Sequence, residues 1–120
     1  FHPLSLNNFI PAVGQGIIVV VIRDNDQKNQ VILNSISNKK TEIEANCERS
    51  FLGALEGSCE MPLGALAIKK KIKGSENITF RYFISKDNFT LCKVEKYNFS
   101  VGESLKKCSE LGRDLKKLYF

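Results

Sequence analysis

Four thiols and one imidazole make up the nucleophilic and metal-ligating stock of these 120 residues: Cys47, Cys59, Cys92, Cys108 and His2. One histidine gives little material for a zinc site or for histidine acid–base catalysis, and no Cys-x-x-Cys occurs, so no metal is expected. The cysteines differ in setting. Cys47 and Cys108 fall on apolar helical stripes, where a thiol packs as a small hydrophobe. Cys59 falls on none. It sits in Gly57-Ser58-Cys59-Glu60-Met61-Pro62-Leu63-Gly64, between a helix stop and a proline, which presents its sulfur to a cavity. The preceding helix C-terminus carries partial negative charge, which raises a thiol pKa. No histidine lies near it in sequence to act as base, so a protease-type thiolate is disfavoured. A slower, modified thiol and a plain structural one both remain open.

Two further groups invite a ligand. Gly14-Gln15-Gly16 can set backbone amides and a side-chain amide against one; it is equally a tight turn into the following segment. Lys69, Lys70, Lys71 and Lys73 can meet phosphates, or protect a sheet edge from pairing. The net charge of +5, from 18 basic and 13 acidic side chains, suits anionic partners and is also ordinary for a small domain. Nucleic acid is a minor reading, since no aromatic RNA-stacking motif occurs.

The elements that must position these groups follow from the pattern. A length of 120 residues with 42% hydrophobic and 26% charged residues is one globular core. The longest apolar run, Ile17–Ile22, is too short to span a membrane. Its continuous apolarity predicts a strand buried on both faces, whose neighbours must come from elsewhere. Asp26 is expected to cap a helix through about Ser37, burying Val31, Ile32 and Ile36. Thr41-x-x-Glu44 reads as a capping box for a helix burying Ile43, Cys47, Phe51 and Leu55 and stopped by Gly57. Three strands follow: 64–72, 78–84 (Ile78, Phe80, Tyr82 and Ile84 on one face) and 89–97. Gly74–Asn77 and Ser85–Asn88 supply the turns. Ser100-x-x-Glu103 opens a last helix, with Val101, Leu105, Cys108, Leu111, Leu115 and Leu118 inside. The expected fold is α+β: a three-stranded antiparallel sheet with three helices on one face.

The two loops carry a resemblance. Pro11-Ala12-Val13-Gly14-Gln15-Gly16 resembles the PAVGQG segment of the porphobilinogen deaminase (hydroxymethylbilane synthase) family. The stretch from Cys47-Glu48-Arg49-Ser50-Phe51-Leu52 to Leu55-Glu56-Gly57-Ser58-Cys59-Glu60-Met61-Pro62-Leu63-Gly64 is similar to its AERAFL…LEGGCxVPxG signature. Residues 9–64 carry these motifs; residues 65–120 match in pattern alone. The family joins four porphobilinogen molecules head to tail, with loss of ammonia, into a linear tetrapyrrole for haem biosynthesis. The resemblance implies a dipyrromethane cofactor held as a thioether on Cys59, and contacts to the pyrrole chain from Gln15, Gly14 and Gly16. Arg49 falls on the family's Arg, facing either a cofactor carboxylate or an acid such as Glu48. The departures are Ser58 for Gly before the cysteine, and Cys47 and Ser50 for small residues.

The family's catalytic residues lie upstream of these motifs, so none is expected in this portion. Residues 1–23 are read as a returning loop and strand of an upstream α/β domain, and 24–120 as the cofactor-carrying α+β domain. The opening Phe1-His2-Pro3, without Met, fits a fragment or processed chain. The expected partners are porphobilinogen, the growing pyrrole chain and the upstream domains, in a monomeric cytoplasmic enzyme without membrane contact; the chain alone is expected to be inactive. Two other readings stand beside this one. The first is a small basic domain binding nucleic acid or another anion. The second is a secreted disulfide module, which four cysteines and the sequons at Asn77, Asn88 and Asn98 would suit.

Overall fold

The computed structural model describes residues 1–56, 61–86 and 92–119. In chain order it holds α1 (Gln27–Ile36), α2 (Lys39–Leu55), β1 (Leu63–Ile72), β2 (Ser75–Ser85), β3 (Cys92–Ser100) and α3 (Val101–Tyr119). The strands form one antiparallel sheet in the order β1-β2-β3. This is the α+β arrangement that the sequence pattern predicts.

The central strand organises the core. Alternation puts Ile78, Phe80, Tyr82 and Ile84 on one face of β2, and all four are fully buried. They pack under Cys47, Phe51 and Leu55 of α2 and Cys108 and Leu115 of α3. Phe51 meets Phe80 edge-on at 5.2 Å and Tyr82 at 5.3 Å, and burial of each large side chain contributes about 1.5–3 kcal/mol.

Helices α2 and α3 run in the same direction across that face. Cys47 lies beside Ser104, Ser50 Oγ donates to the Leu105 carbonyl, and Glu56 pairs with Lys116. They come closest at Gly112, where a Cβ would fall on the Phe51 carbonyl oxygen and 2.9 Å from the Ala54 Cβ. The buried stripe of α3 therefore centres on the small residues Ser104, Cys108 and Gly112 with Leu115. Leu105 and Leu118, expected inside, are 52% and 70% exposed, because a tight crossing favours small side chains over the leucine stripe.

Several local expectations need correction. Helix α1 starts at the expected cap, with Asp26 accepting from the Asn29 amide, yet it buries nothing: Val31, Ile32 and Ile36 lie in the open because no described element covers them. Helix α2 begins three residues early. Asn38 is its N-cap and accepts from the Thr41 amide, while Glu44 turns away to β1. The left-handed residue ending α2 is Glu56, at φ 55°; Gly57 lies outside the described residues. The β1–β2 turn is only Lys73-Gly74, both at positive φ, as a two-residue hairpin demands. The second turn and the start of the third strand, residues 87–91, lie outside the described residues. At Ser100 the expected pair meets side chain to side chain, with Ser100 Oγ donating to Glu103 Oε2 at 2.6 Å.

Residues 17–22 pair with no strand among the described residues, and Ile18, Val19, Val20 and Val21 are exposed. The chain before them does touch the sheet. Arg81 donates to the carbonyls of Leu6 and Asn7, and Pro11 accepts from the Ala65 amide at 3.0 Å.

Candidate functional site

The Gly14-Gln15-Gly16 turn is built by its own hydrogen bonds. The Gln15 amide donates to the Ala12 carbonyl, the Ile17 amide donates to Gly14, and Gln15 Oε1 accepts from the Ala12 amide, each at 3.1 Å. Gly14 and Gly16 stand at φ 71° and 81°, a region that side chains with a Cβ rarely adopt. Gln15 is exposed. With its carbonyl oxygen engaged, the amide group it offers outward is a donor.

What holds this turn in place is Glu48, a residue the sequence reading did not single out. Its Oε2 accepts from the Gly14 amide at 2.7 Å, and its Oε1 accepts from the Ala67 amide of β1 at 2.9 Å. The side chain is only 3% exposed. Burial pushes its carboxyl above the usual range, opposed by the two amides. One turn earlier on α2, Glu44 Oε1 accepts from the Lys69 amide at 2.7 Å. Three successive outward amides of β1, at Ala65, Ala67 and Lys69, are thus taken by Pro11, Glu48 and Glu44. The open edge of the sheet is closed to another strand by carboxylates and a loop. The available signal was two acids four apart beside the Cys47–Phe51–Leu55 stripe, a like-charge spacing that needs donors from elsewhere.

Arg49 is exposed and forms no ion pair among the described residues, with Glu48 or with any other acid. Cys59 lies outside the described residues, as do Gly57, Ser58 and Glu60. A basin of about 500 Å³ lies between Ala54 and Glu56 on one side and Arg113, Lys116 and Lys117 of α3 on the other. Lys116 pairs with Glu56 at 2.7 Å, and Arg113 donates to Ser109 Oγ at 2.8 Å. The basin's lining carries three cations against one acid, Glu56, and Lys117 also lies 3.9 Å from Asp114. Lys69 pairs with Glu76 at 2.9 Å, as an edge-strand lysine does.

The buried cysteines behave as core residues. Cys47 and Cys108 are buried and reduced, and Cys47 Sγ donates to Ser104 Oγ at 3.3 Å. The neighbouring Cys47 thiol, together with burial, pushes the Cys108 thiol far up. The disulfide reading finds no support in this pair.

Residues 42–119 match the family described as porphobilinogen deaminase, C-terminal domain. The chain is 50% identical over 64 residues to porphobilinogen deaminase of Exiguobacterium sibiricum, covering 53% of this chain and 21% of that protein. It is 36% identical to the chloroplastic porphobilinogen deaminase of Pisum sativum over 72% of this chain and 23% of the relative. With the chloroplastic porphobilinogen deaminase of Oryza sativa subsp. japonica it shares 32% identity over 94% of this chain and 31% of the relative. The chain therefore spans between about a fifth and a third of the length of these relatives. On the family match and these likenesses together, the chain belongs to the porphobilinogen deaminase family, of which it carries the C-terminal domain.

Proposed function

We propose that this chain is the cofactor-carrying portion of an enzyme that joins porphobilinogen molecules, with loss of ammonia, into a linear tetrapyrrole. The observation that carries the reading is the tie between the two motifs: Glu48, inside the second motif, holds the turn of the first at 2.7 Å. Helix α2 ends at Leu55, four residues before Cys59 in the sequence. In this reading Cys59 anchors dipyrromethane as a thioether, and the anchored group supplies the end on which the pyrrole chain grows.

The chain's own residues fit such a group by charge. Acetate and propionate side chains make dipyrromethane and its products polyanionic, and the basin beside the end of α2 is lined by Arg113, Lys116 and Lys117. Gln15 offers donors, and Arg49 is exposed one residue after the clamp. Residues 1–23 complete the sheet of an upstream α/β domain, which gives the exposed Ile18–Val21 stretch the neighbours it lacks here. The acid–base residues of the reaction belong to that upstream part.

Porphobilinogen consumption tests this directly, measured with the 120-residue chain alone and with the same chain joined to its upstream domains. Turnover is expected only in the joined form. Turnover by the 120 residues alone, or none in a folded joined form, contradicts the proposal.

A further inference from the structure

We propose that Glu48 is a positioning residue whose ionised carboxylate clamps the Gly14–Gly16 turn to α2 and β1, and that protonating this carboxylate releases the turn. The inference stands on the geometry of the clamp. It rests on the functional reading above only for what the turn touches.

A buried carboxylate needs donors, and Glu48 has two, each a backbone amide from a distant part of the chain. Ionised, both of its oxygens accept. Once protonated, one oxygen becomes a hydroxyl, a much poorer acceptor than a carboxylate oxygen, so one of the two bonds is weakened. Ala67 is fixed by its pairing with Phe80 in the sheet. The turn is fixed less firmly. Besides Glu48, its ties to the domain are Val13 packed against the core and Pro11 on the Ala65 amide, and the Gly14 amide itself has no acceptor other than Glu48 among the described residues. The Gly14 bond is therefore the one that yields.

The charges around Glu48 favour this sensitivity. On its own helix Glu44 stands one turn away, and its negative charge pushes Glu48 towards the neutral form, as burial does. On β1 the ammonium of Lys69 is engaged by Glu76. Beside Glu48 stand the Cys47 thiol of its own helix, held down to about 7 chiefly by the Cys108 thiol, and the Cys108 thiol of α3, pushed far up. Residues 11–16 of the turn segment carry no ionisable side chain.

Amide NMR and hydrogen exchange on the 120-residue chain, between about pH 4.5 and 8, test the clamp. The Gly14 and Ala67 amide protons are expected to shift with one common midpoint above the ordinary glutamate range. Below that midpoint, Gly14 exchange, corrected for its intrinsic pH dependence, should rise about tenfold while Phe80 stays protected. In Glu48→Gln the midpoint disappears from both amides and Gly14 exchanges fast throughout. Glu44→Gln, which does not touch the turn, should lower the midpoint and keep the protection. A residue that only filled space would raise exchange at Phe80 as well and give no shared midpoint. Different midpoints for the two amides in the unaltered chain, or a protected Gly14 in Glu48→Gln, overturn the inference. Neither result depends on which reaction the chain serves.

Discussion

Glu95 sits between two phenols on the half-buried side of β3. Its Oε2 accepts from Tyr82 Oη at 2.6 Å and from Tyr97 Oη, and Lys93 pairs with its other oxygen at 3.0 Å. The Tyr82 and Tyr97 hydroxyls, with Lys93, hold the Glu95 carboxyl down at about 2. Both tyrosines are pushed up in return, Tyr82 chiefly by burial and Tyr97 chiefly by its bond to Glu95. The sign follows from the depressed value. The contribution is fully present above the unfolded glutamate pKa and is lost as pH falls from about 5 towards 2. Glu95→Gln is expected to destabilise the fold by about 1–2 kcal/mol at pH 7 and by much less near pH 3, read from urea midpoints. An equal gap at both pH values would contradict this account. Neither this acid nor Glu48 was legible as a singleton in the sequence. Each looks like a solvated charge until the partner strands are in place.

At the scale of elements, the start of α2 gives a clean contrast. Asn38 supplies the capping oxygen at 3.0 Å, and Thr41, which the sequence offered as the cap, lies inside the helix. Asn38→Ala should cost about 1 kcal/mol in thermal or urea unfolding. Thr41→Ala should stay within about 0.5 kcal/mol. The opposite ranking would restore the capping box of the sequence reading. Thr41-x-x-Glu44 misled because Glu44 is drawn off to the Lys69 amide, a partner 25 residues away that local spacing does not reveal. The strands were more legible: β2 is betrayed by strict alternation of Ile78, Phe80, Tyr82 and Ile84, which only a one-sided core imposes. Helix α3 was legible as a helix and, through Val101, Cys108, Leu111 and Leu115, as most of a face; Leu105 and Leu118 were the misreadings. Its contact with α2 is chosen by the small Ser104, Cys108 and Gly112, which hydrophobicity ranks below Leu105 and Leu118. Of the candidate site, the Gly14–Gly16 turn was visible in its glycines, while the clamp that fixes it was not.

For the whole molecule, the apolar side chains left uncovered are concentrated ahead of α2: Ile18 to Val21, then Val31, Ile32 and Ile36. From Ile43 onward the chain builds its core between one sheet face and two helices, with Val13 packed against it from the earlier part. This division matches a proposal in which the later part is the carrier and the earlier part meets domains upstream. The central claim is that Cys59 bears the cofactor, and intact mass after maturation within the whole enzyme tests it most directly. The account predicts an added mass of two pyrrole units, absent in Cys59→Ala and retained in Cys92→Ala. Retention of that mass in Cys59→Ala, or its loss in Cys92→Ala alone, would contradict it.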